Sequence, residues 1–136
     1  MARRSTERRR KAIADQAERV IRSHYSECDL SLDDVAAEVG TSPRQLQRAL
    51  REAADTGFQA LLLRVRMETA RRLLSRERNG LTVKATARAV GYSGHSGLVA
   101  ACKRFYGKPP SAFQPAGTEY LGDFEEPEVA PPITYL

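Results

Sequence analysis

Tryptophan is absent from this chain of 136 residues, and cysteine occurs only twice, as Cys28 and Cys102. Two cysteines are too few for a disulfide framework or a four-cysteine zinc site. No apolar run approaches the ~20 residues needed to span a bilayer. The N-terminus, MARRSTERRRK, lacks the apolar stretch of a secretory signal peptide. We therefore expect a cytoplasmic protein without a membrane partner.

Motifs of catalysis and cofactor binding are also missing. The chain contains neither a glycine-rich phosphate-binding pattern nor HExxH, and its length allows one domain or two very small ones. His24 and Cys28 have i, i+4 spacing but lack two further ligands nearby, so we favour surface positions at a helix end over a shared metal. We expect no enzymatic activity, no cofactor and no metal.

Charge is distributed unevenly along the chain. The formal net charge is +5, but residues 1–114 carry +10, whereas residues 115–136 carry five acids and no basic residue. The basic excess lies in residues 1–24 and 81–114, at +5 each. A small basic body indicates either a polyanionic partner or a solvated cationic surface. Charge alone does not choose between them.

Helix signals recur along the chain, whereas the alternation typical of strands never persists. Serine or threonine can cap four of the predicted helices, and apolar residues recur three or four positions apart along them. The predicted helices run from Ser5 or Thr6 to about Tyr25, then over about residues 32–39, 43–54, 58–74, 83–90 and 95–106, with a short one around Ala112–Gln114. Their predicted inward residues include Ala53 and Phe105. The fold class is therefore all-α, with a disordered or loosely docked tail from Pro115 onward.

The chain contains an internal repeat. Residues 35–42, VAAEVGTS, are similar to residues 86–93, TARAVGYS, at an offset of 51. Each unit is a helix, a glycine turn and a second helix, with a small residue, Ala36 or Ala87, where the two helices cross. This is the layout of a helix-turn-helix, whose second helix enters the DNA major groove. Two such units joined by one amphipathic helix indicate a DNA-binding protein.

Both units resemble the DNA-binding domain of AraC/XylS-type bacterial transcription regulators. The resemblance lies in LSLDDVAAEVGTSPRQLQRAL, in the linker helix FQALLLRVRMETARRLL and in TVKATARAVGYSGHSGLVAACKRFYGKPPSAF. In the last segment, the G-[FY]-S, K-R-F and G-K-x-P-S-x-[FY] pieces are close to the family pattern. The resemblance implies two helix-turn-helix subdomains joined by a long helix. It also implies that their recognition helices enter successive major-groove segments ~34 Å apart.

The resemblance divides the chain into three regions. They are a basic arm and helix start (1–14), an AraC-type DNA-binding domain (15–114) and an acidic, proline-containing tail (115–136). Within the domain, the first helix-turn-helix covers about residues 31–54, the linker helix about 58–74 and the second helix-turn-helix about 82–106. Only about 25 residues precede the first unit, so we expect a standalone DNA-binding domain or a fragment of a longer protein.

The third helix offers the clearest candidates for reading bases. At 100° per residue, Arg44, Arg48 and Arg51 lie opposite its apolar stripe, with Gln45 and Gln47 on the flanks. Arginine can bond the O6 and N7 atoms of guanine together, and glutamine can pair with adenine. The family's base-contacting positions map onto Arg44, Gln47 and Arg48. A solvated arginine face is the alternative.

The sixth helix has fewer suitable side chains. His95 lies near its N-terminal tip, and Ser96, Ala100 and Lys103 lie opposite its apolar stripe. Many family members have arginine or another polar residue where this chain has Ala100, so we expect this helix mainly to grip phosphate. The predicted base contacts are Arg44, Gln45, Gln47, Arg48, His95 and Ser96. The predicted phosphate contacts are Ser42, Arg51, Thr82, Lys103, Arg104 and Lys108.

These features predict a sequence-specific regulator of transcription that binds double-stranded DNA in the nucleoid. We expect it to bind as a monomer, because one chain already supplies two recognition helices. One alternative is a protein-interaction module whose partner is RNA polymerase or another regulator. Another is charge-driven coating of any DNA. The basic run from Arg3 to Lys11 either contacts the DNA backbone or is a solvated arm.

The acidic tail yields a test from sequence alone. Residues 115–136 either aid solubility or fold back on the basic body and compete with phosphate. If they compete, deleting the residues after Gln114 tightens DNA binding at low salt, and the gain shrinks as salt screens the tail. Titration of both chains with duplex DNA at several salt concentrations measures this. Equal affinities at every concentration would contradict a restraining tail.

Overall fold

The computed structural model describes residues 2–76 and 82–115. These residues form six α-helices and one short 3₁₀ helix, and they contain no strand. The helices are α1 (Ala2–His24), α2 (Leu32–Val39), α3 (Pro43–Ala54), α4 (Phe58–Leu74), α5 (Val83–Ala89) and α6 (His95–Tyr106), followed by the 3₁₀ helix Pro110–Phe113. The predicted all-α class is confirmed. The prediction of a disordered or loosely docked tail falls, from residue 116 onward, outside the described residues.

Two helix boundaries differ from the sequence prediction. α1 begins at Ala2 rather than after Ser5 or Thr6. The residues from Arg3 to Lys11 include good helix formers and neither glycine nor proline, so nothing interrupts the helix there. The last short helix lies at Pro110–Phe113 rather than at Ala112–Gln114, because Pro110 fits the first helical position.

The chain divides into two compact units, with the boundary between Val65 and Arg66 inside α4. In the first unit, α1 packs most extensively on α3 and also contacts α2. From α1, Ala14, Ala17 and Ile21 are buried in the core of this unit. The core of the unit contains Ala14, Ala17, Ile21, Leu30, Val35, Ala36, Leu46, Leu50, Phe58, Leu61, Leu62 and Val65.

Capping residues set the ends of α2. Ser31 Oγ accepts a hydrogen bond from the Asp34 backbone N–H at 3.1 Å, and Asp34 Oδ2 accepts one from the Ser31 N–H at 3.0 Å. This reciprocal capping box contributes about 1 kcal/mol to the free energy of unfolding. At the other end, Gly40 adopts φ +87°, a left-handed conformation that residues with a Cβ rarely take.

Both units make the same turn between their helices. In the first, the Thr41 N–H donates to the Ala36 carbonyl at 2.9 Å; in the second, the Tyr92 N–H donates to the Ala87 carbonyl at 2.8 Å. The two pairs are related by the offset of 51 found in the sequence. Gly91 has φ +100°, close to the value at Gly40. The predicted repeat is therefore a repeat of backbone geometry, and each unit contains a helix-turn-helix.

The buried stripes of α3 and α6 are close to those predicted, with one error in each helix. Leu46, Ala49 and Leu50 are buried in α3, but Ala53 is exposed in its last turn. In α6, Phe105 is 38% exposed instead of facing inward. The neighbouring Tyr106 takes the inward place, because its hydroxyl donates to the Met67 carbonyl at 3.2 Å.

The second unit has a core of its own, and Cys102 lies within it. Its Sγ atom contacts Met67 Sδ at 3.8 Å. Burial raises the pKa of the Cys102 thiol to about 11. Cys28, by contrast, is exposed. Among the described residues, no helix is both long enough and apolar enough to cross a membrane.

The difference in burial between Cys28 and Cys102 predicts a difference in the reactivity of their thiols. Only the thiolate attacks an alkylating reagent, and a pKa near 11 keeps Cys102 protonated at pH 8. We expect iodoacetamide to modify one thiol per native chain at pH 8, and a second only after unfolding in guanidinium. A Cys28→Ser variant should show no rapid modification. Two rapidly modified thiols in the native chain would contradict the packing of α6.

Candidate nucleic-acid interface

The exposed face of α3 carries a continuous set of polar and basic side chains. Because Leu46, Ala49 and Leu50 are buried, the opposite side of this helix faces solvent. All five side chains predicted there are exposed, namely Arg44, Gln45, Gln47, Arg48 and Arg51. Three guanidinium groups and two side-chain amides therefore lie within about two turns of one 12-residue helix. Such a face offers donors to base edges and to phosphates alike.

Arg48 contacts a carboxylate in the same unit. Its Nε donates to Glu52 Oε2 at 3.3 Å, one turn along α3. The other oxygen of Glu52 pairs with Nη1 of Arg10, which belongs to α1. The Arg48 side chain nevertheless keeps 59% of its surface exposed. Arg48 therefore combines a fixed contact on one side with access to solvent on the other.

The predicted phosphate contacts Ser42 and Thr82 are the capping residues of α3 and α5. Ser42 Oγ accepts from the Gln45 N–H at 3.1 Å, and Thr82 Oγ1 accepts from the Ala85 N–H at 3.1 Å. A hydroxyl that accepts an amide hydrogen still has its own hydrogen to donate. Both residues thus have a definite structural role that leaves a donor for an anion.

The outer face of α6 is poorer in hydrogen-bonding groups. Ser96, Ala100 and Lys103 are exposed there, and His95 is half-buried. The methyl group of Ala100 occupies the middle of this face, where it offers no donor. Arg104 and Lys108 are exposed near the C-terminal end. The side chains on this helix are therefore better suited to phosphate oxygens than to a run of base edges.

Tyr92 packs across the first turn of α6. A Cβ added to Gly97 would lie 3.2 Å from Tyr92 Cδ1, so glycine is what allows this close approach. The guanidinium of Arg66 lies over the same ring, 5.3 Å from its centroid. Burial raises the pKa of the Tyr92 phenol, which keeps it neutral. Nothing in the sequence signalled this role of Gly97, because the ring that it accommodates lies five residues earlier.

Arg71 organises the C-terminal end of the second unit. Its guanidinium lies 5.6 Å from the Tyr106 ring centroid and 5.2 Å from that of Phe113. The rings themselves are 4.9 Å apart. This stack ties the 3₁₀ helix to α4 and α6, and desolvation raises the pKa of Tyr106. The G-K-x-P-S-x-[FY] segment marked Phe113 in the sequence, but nothing there pointed to Arg71 as its partner.

Each unit gathers its own share of the predicted site residues. On or beside α3, the first unit holds Ser42, Arg44, Gln45, Gln47, Arg48 and Arg51. Around α5 and α6, the second holds Thr82, His95, Ser96, Lys103, Arg104 and Lys108. In the described residues, no group of three or more His, Cys, Asp or Glu side chains could hold a metal ion.

Comparison with known proteins identifies relatives of this arrangement. A family model described as a helix-turn-helix domain matches residues 35–116. The Msm operon regulatory protein of Streptococcus mutans is 29% identical over 104 residues, which are 76% of this chain and 36% of that protein. An uncharacterised HTH-type transcriptional regulator of Mycobacterium bovis is 42% identical over 85 residues, 62% of this chain and 24% of that protein. The chain thus spans about a quarter to a third of the length of these relatives.

A solved structure shows the same fold. The C-terminal domain of AraT, a response regulator from Geobacillus stearothermophilus, superposes with a TM-score of 0.68 at 33% sequence identity. The match covers 75% of this chain and 83% of that domain. The family match over more than half of the chain, the repeated turn and the shared fold agree with the resemblance seen in the sequence. The chain belongs to the AraC-type family of helix-turn-helix DNA-binding proteins.

Proposed function

We propose that this chain regulates transcription by binding double-stranded DNA in a sequence-specific manner. The observation that carries the proposal is the exposed face of α3, opposite Leu46, Ala49 and Leu50. A recognition helix must be held rigidly by its buried face while its other face stays free for base edges. α3 meets both conditions, and its arginines and glutamines are the side chains that pair with guanine and adenine.

The base contacts are Arg44, Gln45, Gln47 and Arg48 in the first unit, with a lesser contribution from His95 and Ser96. Phosphate contacts come from Arg51 on α3 and from Lys103, Arg104 and Lys108 around α6, with the capping hydroxyls of Ser42 and Thr82. Support for this division comes from the exposed Ala100, which leaves the outer face of α6 short of donors. The first unit then supplies most of the specificity, and the second unit mainly supplies affinity.

The chain acts as a monomer on an asymmetric site, with each recognition helix in its own major-groove segment. One chain contains two helix-turn-helix units, so a second copy is not needed for a second groove contact. The domain boundaries remain those of the sequence, with the DNA-binding domain over residues 15–114. Its location is the cytoplasm, on the nucleoid, and RNA polymerase is a further candidate partner.

A protein-interaction module is the second candidate function. Phe105 favours it, because a phenylalanine 38% exposed on α6 offers an apolar contact to a partner protein. Competition with random duplex separates the candidates. A specific regulator keeps its site in excess competitor, whereas a protein-interaction module has little affinity for either duplex.

The role of Arg48 is tested by a pair of substitutions on the same helix face. Arg48→Ala should cost ~1–3 kcal/mol of affinity for a selected site and relax the preference at one base pair. Arg51→Ala is the matched control. As a phosphate contact it should weaken binding to selected and random DNA alike and lower the salt slope by about 1. Fluorescence anisotropy with both duplexes measures each effect. Equal losses on both duplexes for Arg48→Ala would make Arg48 a phosphate contact instead.

The difference between the two units gives a second test. Alanine substitutions at Arg44, Gln47 and Arg48 should change the sequence preference more than substitutions at His95, Ser96 and Lys103. Selection from a random duplex pool, repeated with each variant, measures the preference. A wild-type motif with two equally sharp parts, one of them lost in the His95 or Ser96 variant, would contradict the division of roles.

A further inference from the structure

We propose that Glu52 is a positioning residue for Arg48, anchored from α1 by Arg10, and that this carboxylate converts a cationic side chain into a selective reader of guanine. The inference rests on the proposed function and names the residue that sets specificity within that site. It concerns the first unit alone, since all three side chains belong to it.

The contacts place one guanidinium on each oxygen of the carboxylate. Arg48 Nε donates to Oε2 at 3.3 Å, and Nη1 of Arg10 pairs with Oε1. The exposed fractions of the side chains are 24% for Arg10, 43% for Glu52 and 59% for Arg48. The exposed fraction therefore rises from Arg10 through Glu52 to Arg48. The residue proposed to contact DNA is the most exposed of the three.

The geometry suits bidentate recognition. A guanidinium has one N–H at Nε and two at each Nη. When Nε is engaged by Glu52, the two Nη atoms at the far end are left to donate together to O6 and N7 of guanine. The contact also restricts the terminal torsions of a flexible side chain. Arg48 has then already lost part of its conformational entropy in the free protein. Less is lost on binding, which favours the specific complex.

Arg10 is what distinguishes this arrangement from an ordinary surface pair. An exposed i, i+4 ion pair alone contributes little and orders its side chains weakly. Here Glu52 is held by a second cation from a different helix, and that helix is fixed by burial of Ala14 and Ala17 against the core that contains Leu46 and Leu50. The position of the carboxylate thus depends on tertiary packing and not only on α3.

The negative charge has a further consequence for random DNA. Glu52 lies beside the recognition surface and repels phosphate, so it disfavours binding modes in which Arg48 merely grips the backbone. Removal of the charge should therefore affect binding to a specific site and binding to random DNA differently. Discrimination should fall, while affinity for random duplex should stay the same or rise.

The experiment measures binding of the full chain to three duplexes. They are a selected site, the same site changed at the base pair whose preference Arg48→Ala relaxes, and a random sequence. Glu52→Gln should lower discrimination between the first two by roughly tenfold. In an Arg48→Ala background, it should cause no further loss of discrimination. Glu52→Asp keeps the charge but withdraws it from Arg48, so it should lose discrimination without gaining affinity for random DNA.

Matched controls come from the same unit. Glu18→Gln removes one acid and one i, i+4 pair, since Arg22 donates to Glu18 Oε2 at 3.0 Å within α1. It should leave discrimination unchanged. Arg10→Gln should lower discrimination in the same sense as Glu52→Gln but by less, whatever it does to affinity for random DNA. Circular-dichroism melts check that each variant is folded.

Two results would overturn the inference, and they are distinguishable. If Arg48→Ala leaves the base preference unaltered, the proposal that Arg48 contacts a base is wrong. The proposed role of Glu52 is then wrong as well. If Arg48→Ala relaxes the preference but Glu52→Gln shifts affinity for all three duplexes by one factor, only the inference fails. Glu52 would then act through net charge alone.

Discussion

Burial of Leu46, Ala49 and Leu50 fixes the rotation of α3 about its own axis, and the rest of the first unit's candidate interface depends on it. These three side chains are fully buried, and loss of one leucine from such a core typically costs ~2–5 kcal/mol. A helix held this firmly cannot turn its arginines inward. The outward direction of Arg44, Arg48 and Arg51 is therefore a consequence of core packing rather than of any contact that the arginines make themselves.

Much of this arrangement could be predicted from sequence, because its determinants are local. Serine caps, Pro43 and the glycine turns mark the helix ends, and the apolar period identifies the buried stripes. The Phe105 error arose because the 3.6-residue period takes no account of Tyr106, whose hydroxyl finds an acceptor inside the unit. The i, i+4 spacing of Arg48 and Glu52 is visible in the sequence. The contact of Arg10 with Glu52, which are distant in sequence, left no signal there. Geometry of this kind requires the tertiary structure.

The two units share a turn but differ in what they present. At Gly40 and Gly91 the backbone takes similar left-handed conformations, and the same hydrogen bond closes each turn. Outside the turn, α3 carries guanidinium and amide groups, whereas α6 carries Ala100 in the middle of its outer face. Under the proposed function, two similar units with unequal faces would bind an asymmetric DNA site, in which the first unit contacts the bases and the second mainly contacts phosphates. The basic excess of residues 1–24 and 81–114 adds an electrostatic attraction to DNA that does not depend on the base sequence.

The most direct test of sequence-specific reading is a competition experiment on a selected duplex. A random duplex pool is enriched for binding by the full chain, and the complex with the enriched sequence is challenged with excess random duplex at near-physiological salt. We predict that the complex persists, because base contacts from α3 add to the phosphate contacts common to any duplex. Failure to enrich any sequence from the pool, or complete loss of the complex in excess random duplex, would contradict this account.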